Sequence, residues 1–352
     1  MKKALIAISG GVDSSATALL IKEAGYECVG VTMKLHSKRD TSIDGCVTTK
    51  DIEDAKSVCE RIGIPHHVVD FSGDFAKYVI DDFVSAYENG ATPNPCIECN
   101  YRLKFDRLFE YGRSLGYDII ATGHYAKIEF DEKYGRRVLK KAADNTKDQS
   151  YVLFRLSKEQ LEHTIFPLGS LSKDATRELA ARAGLDVSSK KDSQDICFIP
   201  DGDYAKFIEN YTNKRYIPGN FVTRDGKILG QHRGIIRYTI GQGKGLGLAL
   251  PHRMYVCEKR LDTNEVVIGD NEDLFSCELW ADNVSFSAID TLDAPMRVKA
   301  KIRYKHNEQS ATAAMENGLL HVVFDEPVRA ICKGQSVVLY DEDTVLGGGR
   351  II

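Results

Sequence analysis

One short stretch constrains this chain more than any other: Ile6-Ala7-Ile8-Ser9-Gly10-Gly11-Val12-Asp13-Ser14-Ser15. The apolar run at 4–8 predicts a buried strand. Residues 9–13 predict a turn, and 14–24 predict a helix, with apolar positions at helical spacing and Gly25 just past its end. The loop therefore joins a strand to a helix N-terminus, where unpaired backbone N–H groups favour an anion. Gly10 and Gly11 let the backbone approach a phosphate with no Cβ in the way. Ser9, Ser14 and Ser15 add hydroxyl groups. No Gly-Lys-Ser/Thr follows, so this is not a Walker loop. An ordinary turn capped by Asp13 or Ser14 would need neither the paired glycines nor three serines.

The following segments alternate. Apolar runs at 29–33, 64–69 and 118–122 predict strands; 51–62, 74–87 and 101–115 predict amphipathic helices. Such alternation predicts an open parallel α/β sheet with right-handed crossovers. Met33 and Gly123-His124 then fall at the C-terminal ends of strands, the positions that flank a nucleotide crevice. Residues 37–47 read as a polar loop and 127–141 as a hairpin. Ser172 caps a helix at 173–183 that Gly184 closes and that carries Lys173, Arg177 and Arg182.

Two stretches are unusual. In Asn94-Pro95-Cys96-Ile97-Glu98-Cys99-Asn100, the prolines at 93 and 95 force an extended approach to a helix. Cys99 is expected just before that helix, where the thiolate is stabilised and the thiol becomes a low-pKa nucleophile. Cys96 and Cys99 form a C-x-x-C pair that suits redox exchange, zinc or an iron–sulfur cluster. No second pair at finger spacing follows, which argues against structural zinc. The second stretch is 192–198, where Cys197 sits among short polar side chains and reads equally as site or core.

Beyond about residue 219, glycine becomes frequent and short alternating runs replace helices. The runs at 221–222, 237–240, 254–257, 266–268, 279–286, 298–304, 310–315, 319–324, 336–339 and 345–351 predict strands of two small barrels or sandwiches. The glycine-rich loop at 241–247 lacks the strand-to-helix context of a nucleotide fingerprint.

A chain of 352 residues predicts two or three domains, and 43% hydrophobic with 28% charged residues is a globular composition. It contains no apolar run of membrane-spanning length and opens directly into a strand, so a cytoplasmic protein with no membrane partner is expected. Nine cysteines in a reducing compartment are expected to be buried, catalytic or metal-binding. The net charge of −4 argues against indiscriminate nucleic-acid binding but leaves room for a local basic face.

The Ser9-Gly10-Gly11-Val12-Asp13-Ser14 loop resembles that of the N-type ATP pyrophosphatases, which split ATP between the α and β phosphates. Together with Asn94-Pro95, Cys99-Asn100, Lys147-Asp148-Gln149, residues 192–198 and Tyr238-Thr239-Ile240-Gly241-Gln242, in that order, the whole chain resembles the tRNA-specific 2-thiouridylases. That resemblance implies an α/β pyrophosphatase domain with a helical extension at 1–212, a central β domain at 213–283 and a C-terminal β-barrel at 284–352. It implies ATP-dependent replacement of O2 by sulfur in the wobble uridine of tRNA. Ala7, Ile8, Ser9, Gly10, Gly11, Val12, Asp13, Ser14, Met33 and Gly123 match ATP-contacting positions, with Mg²⁺ sharing the phosphate charge. Cys197 matches the persulfide carrier and Cys99 the nucleophile that releases its sulfur through a Cys99–Cys197 disulfide. Asn94, Pro95 and Cys96 match the segment that touches the target base. His124, Lys147, Asp148, Gln149, Arg303, Tyr304 and Gln335 match tRNA contacts. A cysteine desulfurase or relay protein would supply the persulfide.

Two positions depart from the family pattern. Many members carry Asp where this chain has Cys96, and Arg where it has Gly243. With Cys96, the three thiols Cys96, Cys99 and Cys197 are alternatively ligands of a [4Fe–4S] cluster carrying hydrosulfide. An ATP-pyrophosphatase amide ligase would explain the loop but needs no cysteine pair and no β-barrels. An RNA-binding module with a decayed nucleotide site would explain only the barrels.

Overall fold

The computed structural model describes residues 2–35, 48–185 and 196–352. The loop read at 37–47 and the Asp192–Asp195 part of the second unusual stretch lie outside them.

Strand β1 (Lys3–Ala7) leads into α1 (Val12–Glu23), β2 (Glu27–Lys34), α2 (Thr49–Ile62) and β3 (His66–Asp70). Helix α2 begins as its sequence dictates, with a capping box between Thr48 and Asp51, and ends on Gly63 in the left-handed conformation. Next, α3 (Ser72–Phe75) passes through a π-helical turn (Ala76–Ile80) into α4 (Asp81–Glu88). Then α5 (Pro95–Glu98) passes through a π-helical stretch (Cys99–Arg107) into α6 (Leu108–Ser114). Strands β4 (Ile119–Ala121), β5 (Lys127–Asp131) and β6 (Arg136–Lys140) follow, then α7 (Ser150–Leu153), α8 (Lys158–Glu162), β7 (Thr164–Ile165), α9 (Lys173–Arg182) and α10 (Tyr204–Thr212).

Five of these strands form a parallel sheet of order β3-β2-β1-β4-β7. Its strands read as continuous apolar runs because both faces are covered. Leu5 of β1 packs with Phe105 and Leu108 on one face, while Ala4 and Ile6 pack with α1 and α2 residues on the other; all three are fully buried. The strand order reverses between β1 and β4, so the loops after these two strands face one crevice.

The remainder is all-β. Strands β8 (Gly219–Val222), β9 (Ile228–His232), β10 (Tyr255–Arg260) and β11 (Glu265–Gly269) form a four-stranded sheet of order β10-β11-β8-β9. The strand expected at 237–240 is absent: a 3₁₀ turn occupies Ile235–Arg237, and the Tyr238 ring packs edge-on against Phe221 at 5.0 Å. Strands β12 (Phe275–Phe286), β13 (Met296–Lys301), β14 (Gln309–Glu316), β15 (Leu319–Arg329), β16 (Ser336–Asp341) and β17 (Thr344–Ile351) form a barrel that the β12–β17 pairing closes. Closure leaves no free sheet edge among these six strands. The β5–β6 hairpin, read as a local feature, instead joins the barrel sheet through Thr344 opposite Lys140. Lys141 strengthens that seam with a 2.7 Å ion pair to Glu308.

A buried cation marks the seam between the middle sheet and the barrel. The Lys259 Nζ on β10 is buried with no hydrogen-bond partner among the described residues, and burial pushes its pKa down to about 8. The unfolded chain holds that proton up to about 10.5, so the burial cost is fully present below pH 8 and fades between pH 8 and 10.5. Replacement of an unpaired buried cation by an apolar group of similar length removes that cost. Lys259→Met is expected to raise the thermal midpoint at pH 7 by several degrees, an effect of about 3 kcal/mol at most. The gain should shrink when unfolding is followed at pH 9.5. A variant less stable than the parent at pH 7 would show that the amine has a partner worth keeping.

Candidate active site

The loop after β1 is built for an anion. Gly11 is the N-cap of α1 and provides no side-chain cap, which leaves the first-turn N–H groups without a capping side chain. The serines brace the loop. Ser14 Oγ donates to Gly11 O at 3.0 Å and accepts from Ser9 N–H at 3.2 Å, while Ser15 Oγ donates to Gly11 O at 2.8 Å. Their hydroxyl protons are directed at the loop's own carbonyl, so the backbone amides of the first turn are the donors for a ligand. Gly10 has φ +72°, and a Cβ there would lie 2.4 Å from Asp51 O.

Asp13 is held from two sides. Lys173 Nζ, from the first turn of α9, donates to both carboxylate oxygens at 2.8 Å. The Tyr125 hydroxyl donates to Oδ1 at 2.8 Å and lies 3.1 Å from Thr176 Oγ1. The Lys173 side chain is only 10% exposed. Gly123, after β4, closes directly on the loop: a Cβ there would lie 2.8 Å from Asp13 C and 2.9 Å from Ser14 N. The β1 and β4 loops therefore meet in van der Waals contact. Met33, at the end of β2, is half-buried and packs between two apolar clusters that line the crevice.

The thiols sit differently from expectation. Helix α5 starts at Pro95, a residue suited to the first helical position, and Asn94 caps it by accepting from Cys96 N–H at 3.2 Å. Cys99 is thus one turn inside the helix, not at its N-terminus. Its half-buried thiol is free, and burial pushes it up to about 11, partly offset by the Lys104 ammonium. It is not a low-pKa thiol in this resting structure. The exposed Cys96 is also raised, by the crowding of its thiol and against the same lysine. Lys104 Nζ lies 3.4 Å from His124 Nε2, and His124 Nδ1 lies 2.7 Å from Thr122 Oγ1. Burial holds His124 well below its usual range, so the ring is neutral and Lys104 carries the charge. Residues 99 and 104 lie about 140° apart around an α-helix, but an i→i+5 winding brings them close to one face. The π-helical stretch therefore aims Lys104 at the thiols.

The barrel completes this end of the crevice. Cys96 and Asp148 both act electrostatically on the Tyr304 hydroxyl, which burial raises, and Lys301 Nζ lies 5.9 Å from the Tyr304 ring centre. Gln335 Nε2 donates to Thr92 O at 2.6 Å and ties the stretch before Asn94 to the barrel. Arg303 donates to Ile240 O at 3.3 Å and also to Ala330 O. Asp148 accepts from Ala142 N–H at 3.0 Å and Ser150 Oγ at 2.7 Å; Gln149 Oε1 accepts from Tyr125 N–H at 2.9 Å. Asp148 and Gln149 thus hold the loop that positions Tyr125, while Lys147 is half-exposed beside them. Gly243 lies so close to Tyr255 that a Cβ would meet the ring at 2.7 Å, so an arginine at that position requires Tyr255 to move.

Two further expectations change. Because Cys99 is a free thiol packed on the cluster that holds Phe198 and Ile199, the implied Cys99–Cys197 disulfide is not formed here. Among the described residues no three His, Cys, Asp or Glu side chains are grouped to hold a metal. Cys96, Cys99 and Cys197 as they stand therefore do not fit a three-thiolate cluster site. The carboxylate of Asp13 is engaged by Lys173 and Tyr125, so among the described residues the loop presents no carboxylate cluster for Mg²⁺. Sequence reasoning missed Lys104 and the pairing of Lys173 with Asp13. The second pair is separated by 160 residues, and the first depends on π-helical winding that no residue pattern announces.

Comparison with known proteins agrees with this architecture along the whole chain. Residues 2–201 match the tRNA methyl transferase HUP domain family, 205–270 the tRNA methyl transferase PRC-barrel domain and 276–351 the aminomethyltransferase β-barrel domain. A tRNA-specific 2-thiouridylase MnmA of Clostridioides difficile is 50% identical, with 99% of this chain and 98% of the relative covered. Proteins of the same name from Clostridium perfringens and Acetivibrio thermocellus are each 48% identical, over 99% of this chain and 98% and 99% of their own. Among the described residues no helix is long and apolar enough to cross a membrane. With a HUP domain carrying the anion loop, two all-β units behind it and full-length identity near one half, the chain belongs to the family of tRNA-specific 2-thiouridylases.

Proposed function

We propose that this chain uses ATP to replace O2 of the tRNA wobble uridine by sulfur, with Cys197 carrying the sulfur as a persulfide and Cys99 releasing it. One observation carries the reading. Gly123 packs on the anion loop, the adjacent His124 holds Lys104, and Lys104 faces Cys96 and Cys99 beside Tyr304 of the barrel. Phosphate chemistry and thiol chemistry are thereby adjacent across two residues of the β4 loop.

A uracil C2 carbonyl is a poor electrophile with a poor leaving group. Attack of O2 on the α-phosphorus forms an O–P bond and breaks the bond to the β-phosphate oxygen, releasing pyrophosphate; the N3 proton is lost. The first-turn amides of α1 bind the departing phosphates. Mg²⁺, carried on those phosphates and water, would share their charge. The terminal persulfide sulfur then attacks C2 and AMP leaves with the C2–O bond electrons. The Cys99 thiolate attacks Cys197 Sγ, the S–S bond to the base breaks, and 2-thiouridine departs as N3 regains a proton. Cys99 and Cys197 end as a disulfide that an external thiol reduces. Cys99 is a free thiol in this structure, as the attack on Cys197 Sγ requires. Lys104 supplies the positive charge that opposes the burial of Cys99 when it must ionise. Arg303, Tyr304, Lys147 and Gln335 form the tRNA side of the crevice, Asn94 to Cys96 touch the base, and the base leaves the anticodon stack to reach C2 chemistry. A cysteine desulfurase or a relay protein is the persulfide donor.

The test of the nucleotide half is Lys173→Met. It leaves Asp13 with Tyr125 alone and is expected to lower tRNA-dependent AMP formation by about 100-fold or more, while tRNA affinity stays within twofold of the parent, a bound typical of surface-neutral change. Near-normal AMP formation would remove Asp13–Lys173 from the mechanism.

The thiol half has a pH signature. In the resting enzyme, alkylation of Cys99 by iodoacetamide should rise close to tenfold per pH unit between pH 7 and 9 with no plateau, because the thiol titrates near 11. Peptide mass spectrometry reads the site. A plateau below pH 8 would show a thiolate already formed. Cys99→Ser should still make AMP when tRNA, ATP and a persulfide donor are supplied but should release no 2-thiouridine.

A further inference from the structure

Away from the nucleotide loop, a polar cleft opens where α4 and α5 meet the ends of β16 and β17. Its volume is about 140 Å³, far above the ~10–15 Å³ of such space that one water requires. Its charged lining is Asp82, Glu98, Arg102, Arg155 and Arg350, with Asn94 on the same wall. Asp82 pairs with Arg350 and Glu98 pairs with Arg155. Arg102 is left over: among the described residues it makes no ion pair or hydrogen bond. It sits over two rings instead, 4.7 Å from the Tyr101 ring centre and 5.8 Å from that of Tyr78. Arg155 covers Tyr101 as well, at 4.1 Å, and its buried Nε–H has no partner among the described residues. A guanidinium held over a ring by cation–π attraction keeps N–H groups available for an oxyanion.

The charged lining thus has a net positive charge of one, with idle donors from two arginines and a wall shared with Asn94. We propose that it binds one backbone phosphodiester of the substrate RNA, next to the nucleotide being modified. This rests on the tRNA reading above. A phosphodiester brings one negative charge, which matches the cleft; the triphosphate of ATP brings several and has its own loop at the β1–β4 reversal. Both partner elements contribute to the lining, the α5 segment through Asn94 and Arg102's helix, the barrel through Arg350. Binding there therefore registers the RNA against both the domain that activates it and the barrel behind it. Phosphate contacts of this kind fix register without reading sequence.

The test pairs a protein change with an RNA change. An anticodon stem–loop with the wobble uridine is prepared with single neutral methylphosphonates on each side of that nucleotide. Against the parent enzyme, one of them should weaken binding about tenfold, the scale of a charge-assisted contact, and the others much less. Arg102→Gln should weaken binding of the unmodified stem–loop by a similar factor, equally for all cognate tRNAs, and lower the salt slope by roughly 0.7. It should gain nothing further from that one methylphosphonate, because the two changes remove the same contact. Arg102→Lys should recover part of the loss, and ATP affinity should be unchanged in both variants. Fully additive losses, or parent-like binding by Arg102→Gln, would overturn the proposal, as would lowered ATP affinity with intact RNA binding. Should the Gln variant fail to fold, the scan with the parent decides: a flat profile overturns the proposal. A parent enzyme that binds no stem–loop at any salt would instead overturn the tRNA reading itself.

Discussion

The arrangement depends on one charge contact. Lys173 reaches from the first turn of α9 to both oxygens of Asp13, and Tyr125 takes the same carboxylate from the β4 side. Three segments distant in sequence are pinned at one carboxylate. Removing the carboxylate would strand the largely buried Lys173 ammonium, which is far more costly than never having placed the pair. The contact also leaves the first-turn amides of α1 with their direction fixed and no capping side chain, the state a preorganised oxyanion site requires. Gly123 then sets the spacing, because any side chain there would push the β4 loop off Asp13 and Ser14.

The thiol end follows from that spacing. His124 is carried by the same loop as Gly123, and its neutral ring gives Lys104 an anchor that does not cancel its charge. A carboxylate in that place would have neutralised the lysine and left two crowded thiols with no compensating cation. The π-helical stretch supplies the remaining geometry by turning Lys104 toward Cys99. Burial keeps the Cys99 thiol protonated at neutral pH, which on the proposed mechanism limits side reactions of a nucleophile needed only after sulfur has reached the base.

Much of the fold is legible in the residues, and for physical reasons. The run at 4–8 is apolar on every position because both faces of β1 are covered. Ser172 as a cap and the helix-ending Gly63 mark the start of α9 and the end of α2 to within a residue or two. The anion loop is legible because paired glycines between a strand and a helix have few other uses. Cys99 was misplaced because the prolines at 93 and 95 read as an extended approach, whereas Pro95 is itself the first helical residue. Lys104 was invisible because α-helical spacing puts it on another face. The β5–β6 hairpin gave no hint of its partner, since an edge strand's hydrogen bonds carry no sequence address. Asp148 and Gln149, which the family resemblance implies as tRNA contacts, brace the Tyr125 loop, a role that depends on contacts no local pattern encodes.

The central claim is that the uracil oxygen itself is activated on the α-phosphate before sulfur arrives. The most direct measurement follows that oxygen. A tRNA substrate carrying ¹⁸O at O2 of the wobble uridine is turned over once with ATP and a persulfide donor, and the AMP and pyrophosphate are examined by mass spectrometry. The account predicts one ¹⁸O in AMP for each 2-thiouridine formed and none in pyrophosphate or water. Label in water or pyrophosphate, with unlabelled AMP, would contradict it.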